Sequence, residues 1–299
     1  MANLKEIRSR IKTVKSTQQV TKAMKMVAAA KLRKAQDRMI QLRPYAGKLR
    51  EIIGNVVSAV NVEDIPSGLV KAREVKNVLF IIITSNRGLC GPFNANIIKE
   101  ANQYMQRHYA TELKEGRVHV LNMGRKAFDF YKKRRYPIVD AKNFDVFADL
   151  TFETVNQVTE RVFAGFLSGE FDKVHLCYNE FKNVMSQVRQ VKDFLPLSAS
   201  DIGETTEKSG SVADYIFEPE REQILLDLIP KALRIQLFQA VLESNASEQG
   251  ARMVAMDTAT ENAEDLLKSL KISYNKARQA AITKEILEIS AGADALSAQ

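Results

Sequence analysis

The feature that most constrains this chain lies towards its C-terminus. Leu228, Ile235, Leu242, Gln249, Met256, Ala263, Leu270 and Ala277 recur every seven residues. Ala232, Gln239, Ala246, Met253, Thr260, Leu267, Tyr274 and Ala281 interleave with them. A heptad kept over eight repeats specifies a left-handed coiled coil, because a straight helix drifts off a seven-residue repeat. The pattern predicts one helix over residues 220–290, roughly 105 Å long at about 1.5 Å per residue. Pro230 stands near its start, where a helix tolerates proline best. Gly250 costs about 1 kcal/mol against Ala and weakens the helix locally. A rod of that length cannot bury itself in an ordinary globule, so its seam needs a partner.

The same spacing opens the chain. Leu4, Ile7, Ile11, Val14, Gln18, Thr21, Ala28, Leu32, Ala35, Met39 and Leu42 fall on one stripe, with a polar patch at Gln18 and Thr21 and a slip near Met24 and Lys25. Pro44 marks a bend, after which Leu49, Ile52, Ile53 and Val56 resume the pattern. A helix over 4–58 is expected, on the order of 80 Å long. Residues 1–60 hold 14 Lys/Arg against 3 Asp/Glu, residues 61–219 hold 21 of each, and residues 220–299 hold 9 against 12. The simplest arrangement pairs the two helices, the basic one against the acidic one. Many seam positions are Ala, Gln, Thr or Met, which bring helices close but bury little apolar area. A net +11 over the first 60 residues also calls for an acidic partner: nucleic acid, anionic lipid or an acidic protein surface.

Between the helices the period changes. Val78–Ile83 is a continuous apolar run, as in a strand buried on both faces. A helix is expected over Asn94–Leu113, a second strand over Val118–Met123, and helices over Gly124–Arg135 and Phe152–Leu167. Val174–Tyr178 and Val184–Phe194 read as further strands, a hairpin around Lys182 and Asn183. This order predicts a partly parallel sheet with helices on its faces. Residues 61–76 and 198–218 read as mobile polar connections. The first strand runs into Thr84-Ser85-Asn86-Arg87-Gly88-Leu89-Cys90-Gly91-Pro92-Phe93-Asn94. A polar turn there can cradle an anion, but neither a P-loop nor a GxGxxG pattern is present, and Pro92 removes an N–H. A tight packing turn, with Cys90 as a small buried residue, is the better reading. Cys90 and Cys177 are too few for a disulfide framework. His108, His119 and His175 are far apart in sequence, with no zinc-ligand spacing. No triad, metal or carboxylate-pair signature marks an active site, so no catalytic, metal-binding or cofactor-binding residue is expected.

Three segments carry a resemblance. Ile7-Arg8-Ser9-Arg10-Ile11, Thr21 to Lys31 and Gln36-Asp37-Arg38-Met39 resemble the N-terminal signature of the gamma-subunit family of F-type ATP synthases. Thr84 to Gly91 is similar to that family's central motif, and Ala251 to Met256 and Tyr274 to Ile286 to its C-terminal block. The resemblance covers the whole chain in order. It implies an α/β protein: a long antiparallel coiled coil of the terminal helices (1–60 and 220–299) and a small Rossmann-like central α/β foot domain (77–195). It implies a central rotating stalk that couples ion flow to ATP synthesis or hydrolysis at beta-subunit sites, without catalysis of its own. The implied partners are the alpha and beta subunits, the epsilon subunit and the c-subunit ring. Met24 and Lys25 would face beta's acidic lever; Arg278, Gln279, Thr283 and Glu285 would meet a beta-subunit loop. Ile286, Leu287 and Ile289 would run in an apolar bearing, and Arg87, Gly88, Leu89, Cys90 and Gly91 would pack in the foot. The absence of a transit peptide or signal peptide favours a peripheral protein on the cytoplasmic face of a bacterial plasma membrane.

Two other readings compete. A basic coiled-coil nucleic-acid binder would use the first helix, although residues 1–44 contain no aromatic for base stacking. A nucleotide-dependent enzyme on the central sheet lacks phosphate-binding motifs. Composition alone leaves the coupling protein and the nucleic-acid binder close; the motifs decide for the first.

Overall fold

The computed structural model describes residues 4–57, 67–140, 146–147, 149–197 and 220–297. The elements are α1 (Leu4–Val57), β1 (Val78–Ile83), α2 (Phe93–His108), α3 (Ala110–Lys114), β2 (Val118–Met123), α4 (Arg125–Lys133), α5 (Phe152–Leu167), β3 (Lys173–Phe181), β4 (Gln187–Leu195) and α6 (Arg221–Ser297). They form two compact units: Ala29–Ala251, and Met1–Ala28 with Arg252–Gln299.

In the first unit the strand order is β2-β1-β3-β4. β1 is central and parallel to β2 and β3, while β3 and β4 form the antiparallel hairpin expected around Asn183. Its turn is closed by the Asn183 and Ser186 backbones bonding each other. β1 is buried at all six residues because both faces are covered. Its pleat sends Val78, Phe80 and Ile82 towards Ile97, Ala101 and Met105 of α2 and Ala127 and Tyr131 of α4. Leu79, Ile81 and Ile83 face the other way, into a core shared with Val155, Val158, Val162 and Phe166 of α5. The start of α5 is fixed by a capping box between Thr151 and Thr154.

The same core takes Leu225, Ile229, Leu233, Leu237 and Val241 from α6 and Ala46, Leu49, Ile53 and Val56 from α1. The first stretch of α6 therefore carries two apolar stripes, one for the sheet and one for α1. The heptad spacing describes only the second. Where the stripes meet, Leu32, Ala35 and Met39 of α1 pack against Leu242 and Ala246, and α6 is buried almost all round.

Several expectations need correction. The helix expected over 94–113 breaks at Tyr109, whose φ of −135° leaves the helical region, giving α2 and α3. Of the supposed 61–76 connection, 67–76 is packed: Leu69 is buried and its carbonyl accepts the Leu197 N–H, while Asp172 accepts the Lys76 and Asn77 N–H groups. Residues 61–66 and the stretch from Ser198 to Glu218 lie outside the described residues. Pro230 stands nine residues past the first residue of α6, where the expected helix start at 220 puts it, but beyond the first turn in which a helix tolerates proline best. Gly250 lies inside α6 close to the hairpin turn, where a Cβ would stand 3.4 Å from the Val184 carbonyl oxygen, an ordinary van der Waals contact. Ile52 is exposed, and the buried positions of this stretch are Ala46, Leu49, Ile53 and Val56.

In the second unit α1 and α6 pair antiparallel. Thr21 Oγ1 lies 2.7 Å from Thr260 Oγ1, and one turn further along α1 Lys25 Nζ lies 2.5 Å from Asp257 Oδ1, one turn back along α6. The slip expected near Met24 and Lys25 is absent. Lys25 occupies the seam position itself, so the heptad runs unbroken through Ile7, Val14, Thr21 and Ala28.

Candidate functional site

The residues singled out from sequence fall into three places. Met24 and Lys25 are half-buried on α1, where Asp257 holds the Lys25 ammonium. Asp257 and Thr260, which fix this level of the coil, are partners that the family motifs do not name; Thr260 falls on the seven-residue seam, whereas Asp257, beside the seam residue Met256, carries no such signal.

Arg278, Gln279, Thr283 and Glu285 share one exposed stretch of α6, and Thr283 Oγ1 donates back to the Gln279 carbonyl at 2.9 Å. Arg278 is 21 residues beyond Asp257, so this group and the Lys25 level are roughly 30 Å apart along the helix. They are two contact regions, not one site. Tyr274, Ala277 and Ala281 are the last half-buried seam positions. Beyond them Ile286 is 61% exposed, Leu287 64% and Ile289 73%. Successive apolar side chains left open on a helix end mark a surface built to be covered.

The segment from Arg87 to Gly91 is a compact turn in the sheet unit. The Ser85 N–H donates to Asn94 Oδ1 at 2.9 Å, and Asn94 Nδ2 donates to Ser85 Oγ at 2.7 Å and to Cys90 Sγ at 3.2 Å. Ser85 Oγ donates to the Arg87 carbonyl at 2.7 Å. Leu89 and Gly91 take positive φ. Cys90 is buried with Phe93 and Ala251, while Leu89 points to solvent. Asn86 Oδ1 and the Ser85 carbonyl accept from the Arg125 and Lys126 N–H groups at the start of α4, so the turn is tied both to itself and to that helix. Gly124 closes it: at φ +124° it passes so near Thr84 that a Cβ would lie 2.1 Å from the Thr84 carbonyl oxygen.

One polar network has no counterpart among the sequence motifs. His175, fully buried on β3, has Nε2 2.7 Å from Tyr109 Oη and Nδ1 2.9 Å from Asp193 Oδ1 on β4; Lys173 Nζ also reaches Asp193 at 2.9 Å. Burial lowers the His175 pKa, so the imidazole is neutral at neutral pH, with Nδ1 facing Asp193 and Nε2 accepting from Tyr109. The hydrogen bond from His175, helped by Lys173, holds the Asp193 carboxyl well below the usual carboxylate range. Phe80 stacks on the imidazole at 4.9 Å. With no opening to the ring, the network ties α2–α3 to the hairpin and offers no route to a substrate. Burial likewise pushes the Cys177 thiol up, keeping it protonated and inert. Among the described residues no group of His, Cys, Asp and Glu could hold a metal ion, and no helix is long and apolar enough to cross a membrane.

Over residues 3–296 the chain matches the family described as ATP synthase. A Chloroherpeton thalassium protein named ATP synthase gamma chain is 52% identical over 302 residues, spanning 99% of each chain. The chain belongs to the ATP synthase gamma-chain family. Another relative of that name, from Cytophaga hutchinsonii, is 47% identical across 99% of this chain and 100% of its own length. Among solved structures, a chain of the Tetrahymena thermophila mitochondrial ATP synthase central stalk and c-ring aligns with a TM-score of 0.55 at 25% identity, over 80% of this chain and 99% of that one. A chain of the Euglena gracilis enzyme aligns with a TM-score of 0.65 at 22% identity, over 99% of this chain and 95% of that one, and shares the fold. The gamma-chain family thus accounts for both units of the structure.

Proposed function

We propose that this chain is the central rotating stalk of an F-type ATP synthase, coupling ion flow through a membrane sector to ATP synthesis or hydrolysis on beta subunits. The observation that carries it is the antiparallel pairing of α1 and α6, set by Thr21–Thr260 and Lys25–Asp257, in a chain 52% identical along its whole length to an ATP synthase gamma chain. A slender paired-helix element suits a ring of alternating alpha and beta subunits. The sheet unit serves as the foot, beside the epsilon subunit and on the ring of membrane c subunits. The exposed Arg278, Gln279, Thr283 and Glu285 meet beta, Met24 and Lys25 lie near beta's acidic lever, and Ile286, Leu287 and Ile289 run in the bearing at the top of the ring. The chain contributes no catalytic group or cofactor site. Its place is peripheral, on the cytoplasmic face of a bacterial plasma membrane. The full-length family match displaces the nucleic-acid reading.

Reconstitution tests this. The chain is mixed with purified alpha and beta subunits, sized by gel filtration, and assayed for ATP hydrolysis alone and in the complex. The expected result is one copy per three alpha–beta pairs, with activity in the complex and none in the free chain. A chain that stays apart, or that hydrolyses ATP by itself, overturns the reading.

A further inference from the structure

We infer that the end of the sheet unit where α4 finishes is a docking surface for anionic phospholipid headgroups; this rests on the stalk reading, which sets the sheet unit beside a membrane. Lys132, Lys133, Arg134 and Arg135 follow one another at the close of α4, and all four are exposed. The helix dipole accounts for cations in the last turn, but the run continues past the helix end. Other cations of this unit do pair with acids: Lys76 with Glu74, Arg117 with Glu115, Arg161 with Glu170 and Lys173 with Asp193. Among the described residues no ion pair involves any of the four.

The cluster is rigidly presented. Arg134 lies 3.6 Å over the Phe130 ring and Lys132 5.4 Å over Phe128, so both stems are laid on their own helix. Arg135 takes φ +58°, turning the chain back so that the Tyr136 N–H bonds the Tyr131 carbonyl. The next residues pair with Val120, which anchors the turn to β2. Tyr131 Oη donates to Asn102 Oδ1 of α2, so the two helices run side by side. They finish together where β2 begins, at the opposite end of the strands from the Ser85–Cys90 turn. Arg107, exposed in the last turn of α2, adds to the same end.

The chemistry favours a charged surface over an inserted anchor or a gripped peptide. The apolar side of α4, Ala127 and Tyr131, is buried against the sheet, and the half-buried Phe128 and Phe130 rings lie under Lys132 and Arg134, so the exposed face is dominated by charge. The four cations are consecutive at a helix end and all exposed. Clusters of four to eight Lys/Arg in that setting recognise anionic lipid through charge, each cation adding to the attraction.

The test compares the unchanged chain with K132Q/K133Q/R134Q/R135Q, each assembled with alpha and beta subunits and floated with vesicles. The vesicles are phosphatidylcholine alone or equal parts phosphatidylglycerol and phosphatidylcholine. Assembly is scored first by gel filtration, so failure of the stalk reading is seen separately; in that event the same flotation is run on the free full chain. There K12Q/K15Q/K22Q/K31Q serves as the reference for non-specific charge. The expected result is at least tenfold weaker binding to the anionic vesicles for the α4 variant, an intermediate loss for K132Q/K133Q with an unchanged melting curve, and at most a twofold loss for the α1 reference. Unchanged binding in the α4 variant, equal binding to neutral vesicles, or equal losses in the α1 and α4 variants overturns the inference. Binding to immobilised polyglutamate with none to vesicles overturns it in favour of an acidic protein.

Discussion

The sheet unit and the distal coil are held together by opposite means. Around β1 every strand residue is buried and apolar, and helices cover both faces. In the distal coil, successive layers are closed by a hydroxyl pair, Thr21–Thr260, and an ion pair, Lys25–Asp257, whose side chains are about two-fifths exposed. The sheet is stabilised by area removed from water. The coil is aligned by polar contacts that add little free energy but tolerate only one register. A body that must keep its shape and a rod that must stay thin call for different chemistry in one chain.

The largest test of this contrast is Phe80→Ala, which opens a cavity between α2 and the sheet and removes a ring stacked on His175. A loss of about 3–5 kcal/mol in chemical denaturation of the sheet unit is expected. Gly124→Ala forces a Cβ against the Thr84 backbone at a positive φ and should cost about 2–3 kcal/mol in the same measurement, through strain instead of a cavity. Leu267→Ala, at a buried coil position, should cost about 2 kcal/mol, the low end for a leucine, because little packs around it.

A pH titration of stability sharpens the comparison further. His175 has a lowered pKa in the fold, so below its unfolded value of about 6.5 the unfolded chain binds the extra proton and stability falls. Asp193 has a depressed pKa; its contribution is present above about 3.9 and is lost as pH falls further, through the folded value. His175→Asn should flatten the decline that begins near 6.5, measured by urea midpoints across that range. A decline of unchanged slope would mean another group carries it. The smallest effect is expected for Lys25 and Asp257: a double-mutant cycle to Met and Leu should give a coupling of about 1 kcal/mol or less, weakening with salt.

Much of this architecture is legible in the sequence. Val78–Ile83 and Val118–Met123 are placed residue for residue, the first by an unbroken apolar run and the second by a mostly apolar stretch, each bounded by polar turns. α5 is placed equally well, its capping Thr151 preceding an amphipathic stretch. The seams of α1 and α6 follow from spacing, but Lys25 reads as a break because a charged residue rarely belongs on a seam. Its partner lies 232 residues away in the chain. The stripe Leu225, Ile229, Leu233, Leu237 and Val241 is present at near-helical spacing, masked by the heptad on the adjoining face. Tyr109–His175–Asp193 has no local signal, because it depends on the register of β3 with β4 and on the break after α2.

By itself, then, the sequence determined where most helices and strands lie and that its two termini carry complementary seams, because periodicity is a property of neighbours along the chain. The whole-chain motifs also determined the family. Tertiary structure alone decided which face of α6 meets the sheet and which meets α1, that Lys25 is answered by Asp257, that Gly124 is required by the Thr84 backbone, and which cations at the end of α4 have no ion pair among the described residues. Those outcomes depend on distances between residues far apart in the chain, and such distances are set only when the layers close on one another.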